Sequence, residues 1–217
     1  MKSDKQLQDD VLNQLDWEPS IDASQVGVTA QDGVVTLTGR VPRYIEKMEA
    51  ERVTKLVSGV RGVANDMEIH LPGGSERNDT DIAKAALTAL EWNVLVPHDK
   101  IQVTVRDGWI YLEGQVNWQY QRNAAGESLH SLMGVKGVTN QITLLPQVQP
   151  KDVRTKIEAA FRRSAEIDAG HVKVEVHDGT VILHGKVPSW TERKEAEQAS
   201  WSAPGVRSVD NRLTVGA

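Results

Sequence analysis

The sequence contains no cysteine, which removes disulfides, thiolate metal sites and cysteine nucleophiles together. Nowhere does an apolar run approach the ~20 residues that a membrane-spanning helix needs. The first ten residues, Met1 to Asp10, are charged and lack the apolar centre of an export signal. The resulting expectation is a soluble, cytoplasmic protein, or a periplasmic one if a leader has already been removed. A basic excess is also missing, because the net charge is −5. Residues 1–75 carry 8 basic and 12 acidic side chains (−4), residues 76–147 carry 6 and 8 (−2), and residues 148–217 carry 11 and 10 (+1). That balance disfavours a general nucleic-acid binder and leaves only the last third able to attract an anionic surface. No motif sets a nucleophile against a base, so neither an enzyme nor a cofactor is expected.

What is present is one pattern written three times. Asp-Gly pairs stand at Asp32-Gly33, Asp107-Gly108 and Asp178-Gly179, at steps of 75 and 71 residues. Each is followed by a glycine (Gly39, Gly114, Gly185), a valine (Val41, Val116, Val187), a later valine (Val60, Val135, Val206) and an asparagine (Asn65, Asn140, Asn211). A period of this size marks a tandem array of supersecondary units. Units of roughly 65–70 residues bury a limited share of their chain, so some packing between them is expected.

Each copy opens with apolar residues four apart: Leu7, Val11, Leu15; Ile82, Ala86, Leu90; and Val153, Ile157, Phe161. That spacing predicts a helix with one buried stripe. Strict alternation follows on both sides of Asp-Gly (Val26, Val28, Ala30 and Val35, Leu37, Gly39, Val41 in the first copy), which predicts a hairpin closed by a primed turn. By the same parity the recurrent glycine falls on the inward face, where a bulkier side chain would not fit under a helix. Second helices are expected over Tyr44–Ser58, Trp118–Met133 and Thr191–Ala203, with Asn117 and Ser189 as caps and Glu51–Lys55 as an i,i+4 pair. A short strand carrying Met67 and Ile69, or its equivalents, closes each unit. The predicted fold is α+β: three tandem α-β-β-α-β units, each a small three-stranded sheet with two helices on one face. Expected boundaries are 1–73, 76–147 and 148–217. Pro72-Gly73-Gly74-Ser75 reads as a flexible linker, and Pro146-Gln147-Val148-Gln149-Pro150 as a stiffer one.

The string Asp-Gly-x-[Val/Ile]-x-Leu-x-Gly-x-Val, followed by Gly-Val-x-x-Val-x-Asn, resembles the BON domain, a bacterial module of osmotically inducible and envelope proteins. The resemblance covers nearly the whole chain, three times. It implies a non-enzymatic protein that binds an anionic phospholipid surface or a partner protein under osmotic or envelope stress. The family also contains cytoplasmic members, one type of which senses potassium beside a partner domain that this sequence lacks. An ion- or osmolyte-responsive structural role is therefore the alternative. The chain departs from exported members in lacking a signal segment and a lipobox cysteine.

Several side chains stand out as candidate sites. Trp109 and Tyr111 share the outward parity of the second hairpin, and Arg106 is expected opposite Trp109 within cation–π reach. They mark either a binding surface or packing against a neighbouring strand or unit, and packing is favoured. The first helix of the third copy carries Lys151, Arg154, Lys156, Arg162 and Arg163, an arrangement that fits an anionic surface or an ordinary solvated helix. His171, His177 and His184 share one parity but lack a convergent carboxylate set, so no metal site is expected. Gly59-Val60-Arg61-Gly62 and Gly134-Val135-Lys136-Gly137 match the Gly-x-x-Gly of KH nucleic-acid clamps. Their place between a helix and a strand favours a helix C-cap instead. Trp17 and Trp92 occupy equivalent positions just past the first helix, where Arg163 stands in the third copy. A half-buried indole closing the core is the expected role, with a membrane anchor as the alternative.

Overall fold

A computed structural model of the chain describes residues 2–71, 73, 77–145, 152–165 and 167–216. The second linker and most of the first lie outside the described residues, as does Lys151. The first repeat runs α1 (Asp4–Asp16), β1 (Val26–Gln31), β2 (Val34–Val41), α2 (Tyr44–Thr54), β3 (Gly62–Asn65) and β4 (Glu68–Ile69). The second runs α3 (Asp79–Trp92), β5 (Ile101–Arg106), β6 (Trp109–Val116), α4 (Gln119–Glu127), β7 (Gly137–Asn140) and β8 (Thr143–Leu144). The third runs α5 (Val153–Arg163), β9 (Val172–His177), β10 (Thr180–Val187), α6 (Trp190–Trp201) and β11 (Ser208–Val215). The fold is α+β, with three small mixed sheets.

The first helices begin where their caps dictate. Ser3 accepts from the Gln6 N–H while the Gln6 side chain accepts from the Ser3 N–H, a reciprocal capping box. Asn78 accepts from the Asp81 N–H at 2.8 Å. The predicted stripe is buried in all three helices: Leu7, Val11, Leu15; Ile82, Ala86, Leu90; Val153, Ile157, Phe161. The second helices stop sooner than predicted. After Thr54 the chain tightens into i→i+3 bonds (Leu56 to Val53, Val57 to Thr54) before Gly59 turns it with φ +100°.

Both residues of each Asp-Gly pair take positive φ, for instance 50° at Asp32 and 81° at Gly33, which is the primed turn that the right-handed twist of a hairpin requires. The long strand of each hairpin is the centre of its sheet. β1 pairs antiparallel with β2, from Val26↔Gly39 to Gln31↔Val34, while β3 and β4 pair parallel with β2 on its other edge. A parallel partner needs a crossover, and α2 supplies it. In the first two repeats the closing strand is broken into two pieces that both stay on the central strand. In the third repeat β11 pairs without interruption, from Thr180↔Ser208 to Val187↔Val215. Alternate strand residues join both helices in one core. In the first repeat this core comprises Leu7, Val11, Leu15, Val26, Val28, Val35, Leu37, Val41, Ala50, Val53, Val60 and Met67 with Ile21.

The recurrent glycine has a different role from the one expected. Gly39 and Gly185 are exposed. A Cβ on Gly39, Gly114 or Gly185 would stand 2.0–2.1 Å from the backbone oxygen of Gln25, Lys100 or His171, and the three φ values are +114°, +144° and +138°. The glycine permits a backbone-to-backbone approach at the far end of the hairpin, not room beneath a helix.

The repeated asparagine pins the crossover helix. Asn140 Nδ2 donates to the Arg122 carbonyl of α4 at 2.7 Å, and its Oδ1 accepts from the Ile142 N–H at 3.2 Å. Asn65 makes the same pair of bonds to Lys47 and Met67, and Asn211 to Arg193 and Leu213. Asn140→Ala leaves two half-buried backbone groups without these partners. The expected loss is about 1–3 kcal/mol, read as a lowered urea midpoint at unchanged slope.

The chain divides into two compact units, one of Met1–Val116 and Tyr120–Thr143, the other of Asn117–Gln119 and Leu144–Ala217. The first two repeats thus share a unit. Within it, Tyr44 of α2 meets the His130 ring edge-on, with centroids 5.4 Å apart.

Candidate interaction surface

Trp109 and Tyr111 lie on β6, and Arg106 is the register partner of Trp109. Trp109 is 46% exposed. Its ring lies against Gly137 of the adjoining strand, where an added Cβ would come within 2.3 Å of it. The equivalent cross-strand pairs are Val34↔Gly62 and Thr180↔Ser208, the latter joined by a hydroxyl bond of 2.8 Å. A cation–π contact is formed elsewhere, by Arg193 over Trp190 at 5.4 Å.

On α5 the basic residues are unequal. Arg154 pairs with Glu158 at 2.7 Å and Lys156 with Asp152 at 3.5 Å, so two of the five expected positive charges are neutralised locally. Arg162 and Arg163 are exposed in the last turn, with no ion pair among the described residues. There they also complement the negative end of the helix dipole.

Trp17 and Trp92 overturn the expectation of half-buried core indoles: they are 85% and 82% exposed. The core is already closed beneath them by Leu15 with Ile21, and by Leu90 with Val96. Every exposed large hydrophobic among the described residues lies in the first two repeats. In the second repeat Trp92 is followed by Val94, 97% exposed, and Leu95, 52% exposed.

The three histidines do not converge. His171 pairs with Asp168 at 3.2 Å and His177 lies 3.9 Å from Glu175, and no metal-binding group of acidic and histidine side chains occurs among the described residues. A depression of about 400 Å³ in the third repeat is lined by Asp168, His171, Lys186, Pro188, Glu192 and Gly216. Within it His171 pairs with Asp168, and the Asp168 N–H donates to Glu192 at 2.8 Å.

The Gly-x-x-Gly loops also serve the scaffold. Gly59, Gly134 and Gly205 all take positive φ, and the residue two later donates its N–H to the hairpin-turn glycine: Arg61 to Gly33, Lys136 to Gly108 and Arg207 to Gly179, at 2.7–2.9 Å. A second tie to the same turn escaped the sequence reading. Asp79, in the first turn of α3, accepts from the N–H groups of Asp107 and Gly108 at 2.8 and 2.9 Å, and Asp4 accepts likewise from Asp32. The signal was available as an aspartate 28 residues before the turn aspartate in both copies. Asp79→Ala is expected to cost about 1–2 kcal/mol, visible as a lower melting temperature, whereas Asp79→Asn should lose less because one oxygen still accepts.

Two half-buried groups whose titration is shifted meet at the contact between the first two repeats. Burial raises the Tyr44 phenol, opposed by a hydrogen bond with the Val138 backbone. Burial also lowers the His130 imidazole from its ordinary 6.5, although Glu127 pulls it upward. A histidine depressed in the folded chain binds its proton more readily when unfolded. Its contribution is therefore intact above pH 6.5, declines as pH falls below 6.5, and levels off beneath the folded value. Urea midpoints at pH 7.5 and 5 should differ by less in His130→Gln than in the parent chain.

Repeated small α+β modules, each with a parallel closing strand and both helices on one face, define the class of protein to which this chain belongs: a tandem array. It is a member of the BON domain family, whose model matches residues 3–70, 78–146 and 151–217. Osmotically-inducible protein Y of Escherichia coli (strain K12) is 29% identical over 127 residues, which is 57% of this chain and 63% of that protein. The alignment thus spans a little less than two thirds of the relative. Among solved structures, the C-terminal domain of CdsD, a structural protein of the type III secretion system of Chlamydia trachomatis, aligns over the whole of both chains at 16% identity with a TM-score of 0.28. The PrgH periplasmic domain aligns over 89% of this chain and 96% of its own at 12% identity and a TM-score of 0.23. Scores this low carry no functional reading. No helix among the described residues is long and apolar enough to cross a membrane.

Proposed function

We propose that the chain is a non-enzymatic interaction module of the osmotic stress response and that its ligand is a phospholipid surface. The observation that carries this reading is the exposure of Trp17 and Trp92 at equivalent positions of two repeats. An indole combines an apolar body with one N–H donor, and it settles at the boundary between hydrocarbon and headgroups. Arg162 and Arg163 add attraction to anionic headgroups, and Trp109 with Tyr111 and Arg106 offers a second, half-exposed contact. Covalent linkage of the repeats raises weak contacts through effective concentration. The stress assignment rests on kinship with a protein named for osmotic induction. A lipid surface borders both the cytoplasm expected from the sequence and the periplasm, so the reading holds in either. Flotation of the full chain with zwitterionic and with anionic liposomes tests it. Recovery in the lipid fraction is expected, and absence from both lipid fractions overturns the reading.

A further inference from the structure

The turn that follows the first helix is the same object in the first two repeats. Glu18 donates its N–H to the Leu15 carbonyl, Ile21 to the Glu18 carbonyl, and Ser20 to the Glu18 side chain. In the second repeat Asn93 donates to Leu90, Val96 to the Asn93 carbonyl, and Leu95 to the Asn93 side chain, at 3.3, 2.9 and 3.0 Å. The tips differ: Pro19-Ser20 in one copy, Val94-Leu95 in the other. Because the first repeat builds this turn with a proline and a serine, the fold does not call for two large aliphatic residues there. Val94 in particular, 97% exposed, takes no part in the packing of the chain.

We propose that the Trp92–Pro97 turn is a wedge that inserts into the interfacial region of a lipid bilayer, and that zwitterionic headgroups suffice to receive it. This rests on the phospholipid reading above and specifies the element that enters the lipid. Residues 92–97 carry no charge, and Val94 stands almost wholly clear of the protein. An apolar medium accepts backbone only when its polar groups are already satisfied. Here the N–H groups of Asn93, Leu95, Val96 and His98 all bond within the turn or to the end of α3, and Pro97 has none. The Asn93 amide also donates to the Ser128 hydroxyl at 2.8 Å, so this polar side chain of the turn has a partner within the protein. Val94 is the single residue of the tip whose N–H has no partner among the described residues, as suits a depth where interfacial water still reaches. The rim consists of Glu91, His98, Asp99 and Lys100, which nearly cancel in charge and favour neither headgroup sign. The equivalent turn of the first repeat has Glu18 beside Trp17, held 3.6 Å from Arg52, so its indole can touch a bilayer while its tip stays out.

The discriminating variant is Val94→Pro/Leu95→Ser, which writes the tip of the first repeat into the second. Asn93 already has the extended backbone (φ −89°, ψ 106°) that precedes a proline comfortably, so the variant should melt with the parent chain. Partition of both full chains onto phosphatidylcholine vesicles is measured by sedimentation at low and high salt. The parent is expected to bind with little salt dependence, and the variant at least about tenfold more weakly, since two large apolar side chains are withdrawn from the contact. Equal binding by both chains overturns the wedge and leaves the phospholipid reading standing. Capture of the parent by anionic vesicles alone, lost with salt, assigns attachment to Arg162 and Arg163 and also overturns the wedge. No binding of the parent to any vesicle overturns both proposals. If the parent self-associates in light scattering and the variant does not, the tip docks a second copy of the chain, and the wedge fails.

Discussion

Gly114→Ala should destabilise the chain by about 3–5 kcal/mol. The added methyl would stand 2.1 Å from the Lys100 carbonyl oxygen and 3.2 Å from the Ile101 Cα, both of them backbone, at a φ of +144°. The backbone conformation alone costs a side-chain-bearing residue about 1–3 kcal/mol. Relieving the contact requires β5 to move off β6 at the Ile101↔Gly114 pair, with loss of packing at Ile101, which is buried. The sum is a large part of what a small domain has to lose. Gly73→Ala, where nothing lies within 4 Å of the added carbon, is the matched control and should stay within about 0.5 kcal/mol. Urea unfolding of the full chain followed by circular dichroism compares the two.

Phe161→Ala ranks second. Phe161 is the sole phenylalanine of the sequence and is fully buried in the core of the third repeat, with Ile157, Val172, Leu183 and Val206 in the same cluster. Truncation removes the aromatic burial and leaves a cavity, an expected loss of about 3–5 kcal/mol. The other repeats place leucine at this position, Leu15 and Leu90, both fully buried. Phe161→Leu should therefore be tolerated at less than about 1.5 kcal/mol. A leucine variant as damaging as the alanine variant would show that the third core is shaped around the ring and is not interchangeable with its sister copies.

Such equivalences made the architecture readable from the residues. Period four before the turn, period two around Asp-Gly and the constant intervals between marks specify helices, hairpin and closing strand, because each follows from local backbone geometry. The misreadings arose where a side chain's surroundings depend on chain segments that periodicity does not reach. Alternation put Gly39 among the inward residues, but the backbone there turns to φ +114°, and the close neighbour is the carbonyl that precedes the paired strand. Hydrophobicity put Trp17 and Trp92 in the core, though Ile21 and Val96 already fill that place. Arg163, the equivalent residue in the third copy, was the available sign that the position faces water. The repeated asparagine was visible as a recurrence, but its bond to a helix carbonyl 18 residues earlier is a tertiary contact with no local signature. The split between Val94-Leu95 and Pro19-Ser20 acquires meaning only once the hydrogen bonds show that the two turns are alike.

The account depends on a division between residues that hold the scaffold, repeated in every copy, and exposed apolar residues that differ between copies and meet the ligand. Trp17→Gln/Trp92→Gln in the full chain tests that division most directly, with thermal unfolding and liposome flotation measured on the same preparation. Because both indoles lie outside the core, the unfolding free energy should change by no more than surface substitutions produce, about 0.5 kcal/mol each, with the melting temperature close to the parent's, while recovery with lipid is lost. A chain that melts well below the parent, or one that floats as the parent does, would contradict the account.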